Sequence, residues 1–498
     1  MQNPAFNFLK LIRNTPALIL LLFVYLIILP RSLSYDHAWM FPEEFSIKNE
    51  VLKDGPQLGL KDLRFGLNWR VFEFAPRTTR PLSSYFDLLD TKFRSWLWQY
   101  RLPHPSLSLT WLFSLFFSPL LLYLFLKNIK IGNNAAIAAV CFYLVSPPIL
   151  SCVVMLSRPA KPMAYFSIIL CLYFASELDK RFSTESFIPR RHLLCLLALM
   201  LFSFFWDEVV LLVYPAVFIL FPKLLKGRSK LVIFGLIPVL VAFIAYKIIP
   251  QLTVWAGYEY PWFCDYCRGF KGLAETMNSS KPLSDAFFAN FIPNTRILIL
   301  DSMGMMRILP GASLGVQVLF ALSAGAWGVL FFYALRSAKK YYSLLLFLLF
   351  LIVVHNFLIT MTIGVWGPFY YGGFFSVFFA IYLAWLIHHS HISKYVLTAC
   401  MLLILANINN CLLATSFIYK KHHVYSDFSR IRNYFESTIS RFDTGDDTAL
   451  PSGREIRGDI YQYWSRVRLG RDMRGSTLPR ELGWLPIELR IGDSVVFR

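Results

Sequence analysis

Apolar blocks of about 15–23 residues recur along the chain, separated by shorter polar breaks. The first, Ala17–Pro30, reads ALILLLFVYLIILP and carries no charge. At 1.5 Å per residue, about 20 residues reach across a hydrocarbon layer roughly 30 Å thick, so runs of this length suit membrane-crossing helices. The pattern predicts about eleven of them, near 15–30, 107–127, 135–155, 162–177, 193–206, 209–222, 231–249, 313–334, 342–365, 369–388 and 396–418. The expected fold is therefore an all-α polytopic membrane protein, with residues 1–418 forming the membrane domain.

Two segments depart from the simple run. HLLCLLALMLFSFFWDEVVLLVYPAVFILF (His192–Phe221) is long enough for one helix, but that would leave Asp207 and Glu208 in mid-bilayer. Both of its flanks are basic, so a hairpin turning at WDE satisfies the charges better, with arms of about 21 Å and a recessed acidic pair. Recessed ionisable groups are costly and usually face a partner or a wet cavity. The second segment, Arg80–Tyr100, is amphipathic at helical spacing. Leu82, Phe86, Leu89, Phe93, Trp96 or Leu97, and Tyr100 share one face, and Asp87, Asp90, Lys92 and Arg94 lie off it. Its Trp and Tyr content fits a helix lying in the headgroup plane; packing on the C-terminal tail is the alternative.

Composition agrees with the runs: 56% of the 498 residues are hydrophobic, 16% are charged, and mean hydropathy is +0.51. The net charge of +19 changes meaning once it is mapped. With a cytoplasmic N-terminus, the short inner segments 1–14, 127–134, 176–192, 223–230, 335–341 and 388–395 hold sixteen cations against three acids. They account for +13 of the total, as the positive-inside rule requires, and the basic balance is no argument for nucleic acid. No clean small-x-small cleavage site follows the first helix, so it reads as an uncleaved signal-anchor. Of the eight cysteines, six fall in helices; Cys264 and Cys267 form FCDYC in an outer loop, as a local disulfide or two thiols.

The expected outer side is different in kind. It carries loops at 31–106 and 250–312 and a tail at 419–498 that alternates charge and apolar residues like a small soluble α+β element. Long loops concentrate function, so the chemistry is expected on that face. Four polar clusters fall there: Asp36, His37, Glu43 and Glu44 in SYDHAWMFPEEF; Arg70, Glu73, Arg77 and Arg80 in NWRVFEFAPRTTRPL; Arg158 and Lys161 in SRPAKP; and Asp207 with Glu208. Carboxylates can take a proton from an attacking hydroxyl, and guanidinium groups grip phosphate through paired hydrogen bonds. If the clusters converge, they suit a substrate with an apolar anchor and a phosphate.

An acid just past the first helix, a long outer loop with an in-plane helix, and many unequal helices resemble the GT-C superfamily of integral-membrane glycosyltransferases. The RPL of TTRPLSSYF is similar to the first-loop motif of phage-type O-antigen glucosyltransferases and tetratricopeptide-containing O-mannosyltransferases. The likeness in architecture covers about residues 1–420, while the motif covers only a few. It implies a polyprenyl-phosphate sugar donor, an acceptor that is a glycan, lipid or protein, and an active site facing the bacterial periplasm from the inner membrane. Asp36 would match the catalytic first-loop acid and Arg80 the RPL arginine; Asp207 and Glu208 fall where some branches place a second acidic motif. Many members pair two acids where His37 follows Asp36 here. Assistance by His37, or a second carboxylate from Glu43 or Glu44, stays open, as does a divalent metal (Mg or Mn). Arg77, Arg80, Arg158 and Lys161 are the expected phosphate-binding groups.

Blander readings stand beside these. Asp36 can be an interfacial loop acid, Arg80 a snorkelling first-turn residue, Arg158 and Lys161 headgroup contacts, and Asp207 with Glu208 a helix cap. His355, Asn356 and Asn407–Asn410 read as interhelical hydrogen bonds. His388–His391 read as a solvated inner connector. A lipid-linked polysaccharide polymerase or ligase and a lipid-glycan flippase are the competing functions; the flippase predicts ionisable groups deep in several helices.

Overall fold

The computed structural model describes residues 17–34, 81–99, 108–154, 160–185, 190–207, 213–225, 283–304, 314–337, 348–357, 372–389 and 393–421, with single positions 210, 237, 240, 241, 244 and 360. Every regular element among them is helical, with no strand. The helices are α1 (Ala17–Ser34), α2 (Pro81–Gln99), α3 (Leu109–Asn128), α4 (Asn133–Leu144), α5 (Pro147–Val154), α6 (Ala160–Glu185), α7 (Arg190–Phe204), α8 (Val213–Leu220), α9 (Leu283–Ser302), α10 (Leu314–Ser337), α11 (Leu348–Phe357), α12 (Gly373–His389) and α13 (Ser393–Lys421). By length and apolarity α3 alone among the described helices passes the test for a membrane span; α1, α4, α7, α10, α11, α12 and α13 contain shorter apolar stretches.

The chain divides into two compact units. One takes residues 1–29, 113–151 and 160–414; the other takes 30–112, 152–159 and 415–498. In the first unit α12 is the central helix. From Gly373 to Ile387 it is buried all round except at Trp385, as a helix without a polar face must be. It packs on α4, α6 and α9, and α6 packs in turn on α3, α7 and α8. Trp327 of α10 fills the space beside it, with ring centroids 5.8 Å from Phe142, 5.3 Å from Phe331 and 5.5 Å from Phe379. Its indole N–H donates to the Met303 carbonyl at 3.1 Å, so this large buried side chain leaves no polar atom orphaned.

Local chemistry explains the breaks. Prolines 147 and 148 cannot extend α4, and the Ser146 carbonyl instead accepts from Ile149 and Leu150 at 3.0 and 3.1 Å to start α5. In α3, residues Phe113–Phe117 widen into a π turn just before Pro119. Pro119 has no N–H for the Leu115 carbonyl four residues back, and the Tyr25 hydroxyl of α1 donates to that carbonyl at 2.8 Å. After α3 the chain closes a Schellman turn, Ile131 N–H to Leu126 O at 3.0 Å and Lys130 N–H to Lys127 O at 3.0 Å. Lys130 occupies the left-handed position at φ 65°, where glycine is usual.

The surface is apolar where a soluble bundle would be polar. Ile19, Leu22, Phe23 and Leu26 of α1, Phe117, Leu120 and Leu124 of α3, Val318, Leu322, Val329 and Phe332 of α10, and Phe350, Val353 and Phe357 of α11 all point outward; Leu26 is 73% exposed. Their three- and four-residue spacing makes continuous stripes on helices whose opposite faces are buried.

Two elements differ from the sequence expectation. Helix α9 lies within the stretch read as the outer loop 250–312, because Asp285, Pro293, Arg296 and Asp301 dilute its apolar content below that of a span. It joins the first unit nonetheless, where Asn356 Nδ2 of α11 donates to Phe291 O at 3.0 Å and Thr295 Oγ1 at 2.5 Å. In the second unit α2 buries two polar side chains that the sequence placed off its apolar face. Asp90 and Lys92 are buried together with Phe86 and Leu88, while Leu89 and Trp96 are exposed. The reason is a cap: the Asp90 carboxylate accepts from the Leu109 N–H at 2.5 Å and from Thr110 Oγ1 at 3.1 Å, satisfying the start of α3. Apart from positions 237, 240, 241 and 244, the expected span near 231–249 lies outside the described residues, as do Cys264, Cys267 and the tail beyond residue 421.

Candidate functional site: a buried ion pair in the bundle

The arms of the expected hairpin are separate helices. α7 ends at Phe204, Trp206 closes a turn on Ser203 O, and Asp207 begins a tight turn to the Val210 N–H at 3.1 Å before α8. The break places Asp207 at the end of α7 away from Arg190 and Arg191. Lys161 sits in the first turn of α6.

These two residues, forty-six apart, meet. The Lys161 ammonium lies 2.9 Å from Asp207 Oδ1 and 2.8 Å from Oδ2, with side chains 3% and 0% exposed. His355 of α11, also buried, is within electrostatic reach of both. Its ring packs edge-on against Phe375 at the start of α12, 5.3 Å between centroids.

Neighbouring polar contacts tie the same end of α12 to the bundle. Ser146 Oγ donates to Ser376 Oγ at 2.7 Å, and Ser376 Oγ lies 3.1 Å from the Ser302 and Gly372 carbonyls. Gly373 admits the Tyr165 ring, one turn along α6 from Lys161; a Cβ there would stand 2.5 Å from Tyr165 Cε2.

The opposite end of the unit is basic. Asn128 Nδ2 donates to Glu177 Oε1 at 2.6 Å and to Ser176 Oγ at 3.1 Å, the Gly132 N–H donates to His388 Nδ1 at 3.2 Å, and Lys223 faces Asp179. Partial burial raises the Asp179 carboxyl above its ordinary range, and Lys223 offsets part of that rise. From Lys161 to Glu177 α6 rises roughly 24 Å. The ion pair is thus most of a hydrocarbon thickness away from the basic connectors.

Of the residues singled out in the sequence, Lys161 and Asp207 are brought together, each as the other's partner. Asp36, His37, Glu43, Glu44, Arg77, Arg80, Arg158 and Glu208 lie outside the described residues. Asn356 and Asn407 make the interhelical contacts expected of them; Ser323 Oγ meets Asn407 Oδ1 at 3.5 Å. The electrostatic reach of His355 to the ion pair, and the roles of Ser146, Tyr165 and Ser376, were not anticipated. A buried hydroxyl in an apolar run leaves no trace of its partner in the sequence. Among the described residues no three His, Cys, Asp or Glu side chains are grouped to hold a metal ion.

No family model, curated protein or solved structure matches this chain.

Proposed function

We propose that this chain is a multi-pass membrane glycosyltransferase of the GT-C kind, moving a sugar from a polyprenyl-phosphate donor to a glycan, lipid or protein acceptor at the outer face. The membrane part of the reading is supported by the outward apolar stripes, since contiguous exposed leucine and phenylalanine are costly in water and suited to acyl chains. The observation that carries the functional part is the buried Lys161–Asp207 pair, set in the bundle at the end away from the basic connectors. Buried charge among membrane helices is expensive and is kept where substrate or ions are handled.

In the proposed transfer the acceptor hydroxyl loses its proton to a carboxylate, and its oxygen forms a bond to the anomeric carbon. The bond from that carbon to the phosphate oxygen breaks, and the phosphate departs with the electron pair. Asp36 is the candidate base by resemblance. Lys161, with Arg77, Arg80 and Arg158, is a candidate to stabilise the developing phosphate charge, with Asp207 holding the ammonium in place. Chain reconstituted in vesicles with a polyprenyl-phosphate sugar should transfer it to acceptor. Asp36→Asn should abolish transfer while insertion persists, and intact transfer in that variant overturns the assignment.

One observation favours a second reading. Lys161 of α6, Asp207 of the turn after α7 and His355 of α11 are buried ionisable groups contributed by separate helical segments, a feature that a lipid-glycan flippase would also use. Movement of a labelled lipid-linked glycan across sealed vesicles without any sugar transfer would select it.

A further inference from the structure

The basic end of the first unit is a coherent surface. Lys130, Lys180, Arg181, Arg191, Lys223 and Lys394 are all exposed there. The hydrogen bonds from Asn128 to Glu177 and from Gly132 to His388, and the electrostatic reach of Lys223 to Asp179, bring their connectors to one end of the bundle. The nearby acids are already engaged: Glu177 accepts from Asn128, and Asp179 faces Lys223. Among the described residues at this end, the exposed cations outnumber these two carboxylates.

Immediately beyond the cations the surface becomes apolar. Leu120 and Leu124 of α3 lie one to two turns before Lys127, and Leu194 of α7 follows Arg191 by one turn, 59% exposed. Tyr395, 74% exposed, adjoins Lys394 at the start of α13. An aromatic ring with a polar tip, set between a ring of cations and an acyl-facing stripe, suits the headgroup layer. A free anion in solution would satisfy the cations alone; it has no use for the leucines. A lipid satisfies both.

We infer that this end of the bundle selectively binds anionic phospholipid, each headgroup phosphate held by the exposed lysines and arginines and each acyl chain laid along the leucine stripes. The inference rests on the membrane reading proposed above. Cations near a bilayer surface attract anionic lipid strongly enough that neutralising one weakens retention about fivefold.

The test uses the full-length chain reconstituted in vesicles of equal phosphatidylglycerol and phosphatidylcholine, then extracted gently, with bound lipid counted by native mass spectrometry. Wild-type protein should retain phosphatidylglycerol at least tenfold over phosphatidylcholine. Millimolar inorganic phosphate should leave the retained lipid unchanged. The combined variant Lys130→Gln, Arg191→Gln, Lys223→Gln and Lys394→Gln should fall towards parity. A charge-keeping set, Lys130→Arg, Lys223→Arg and Lys394→Arg, should keep the preference and serves if the neutral set fails to insert. Equal retention of the two lipids by wild-type protein, displacement by inorganic phosphate, or loss of preference in the arginine set overturns the inference. Failure of the chain to enter vesicles at all instead overturns the membrane reading.

Discussion

Removing one member of the Lys161–Asp207 pair should be far more damaging than removing both. At 2.8–2.9 Å the two charges attract by about 6 kcal/mol at an effective dielectric of 20. Withdrawing each ion from water costs several kcal/mol, so the pair as a whole contributes close to nothing. Truncating one partner keeps the desolvation of the other without its compensation, at a cost of about 3–5 kcal/mol. Lys161→Met and Asp207→Leu should each destabilise by that amount, and the double variant should recover most of it. Denaturation of the four purified proteins in mixed micelles yields the coupling energy of the cycle. A coupling below about 1 kcal/mol would show that the two charges do not depend on each other and would refute the reasoning. Under the proposed function the double variant regains stability without regaining transfer, which separates structural from chemical roles.

Other consequences follow from single contacts. Gly373→Ala should cost about 1–3 kcal/mol in the same denaturation assay, because its methyl group would press on the Tyr165 ring and on Ile149 Cδ1, 3.1 Å away. Tyr25→Phe should cost about 1–3 kcal/mol by orphaning the Leu115 carbonyl beside Pro119; an unchanged midpoint would mean that another donor reaches it. Asp90→Ala should lose about 1 kcal/mol of capping and raise amide hydrogen exchange at Leu109 and Thr110 first. His388, exposed in the last turn of α12 where the expected inner segment 388–395 begins, has its pKa lowered by partial burial and then by His389 and Lys127, and its Nδ1 accepts from the Gly132 N–H. A folded-state pKa below the unfolded value means that its contribution is present at neutral pH. That contribution fades as pH falls below the ordinary histidine range near 6.5. His388→Gln should flatten that part of the stability profile.

The sequence carried the rhythm of the helices and several of their ends, because apolar length, proline and clustered cations act locally. The Trp206–Asp207 break was legible in this way: basic flanks on both sides required the chain to turn back. Helix α9 was not, since its charged residues and Pro293 resemble loop composition while its remaining positions suffice to pack on α11 and α12. The amphipathic period of α2 was legible, but not the burial of Asp90 and Lys92. Periodicity shows that two faces differ; it does not say which one meets protein, and the Asp90 cap decided the matter through backbone donors nineteen residues away. The candidate site divides likewise. Lys161 and Asp207 stood out because charge in an apolar setting is rare, whereas their pairing and the approach of His355 depend on how three distant helices settle together.

The burial of α12 has a consequence for how the molecule comes into being. A helix that is apolar on every side and enclosed in the finished protein is, in a bilayer, wetted by acyl chains only during synthesis. On the membrane reading proposed above, each lipid it meets on entering must later be expelled by α4, α6 and α9, all three of which precede it in the chain. Closure around α12 therefore belongs to the last stages of maturation, and the serine and glycine contacts at its first turn mark where the final gap is sealed.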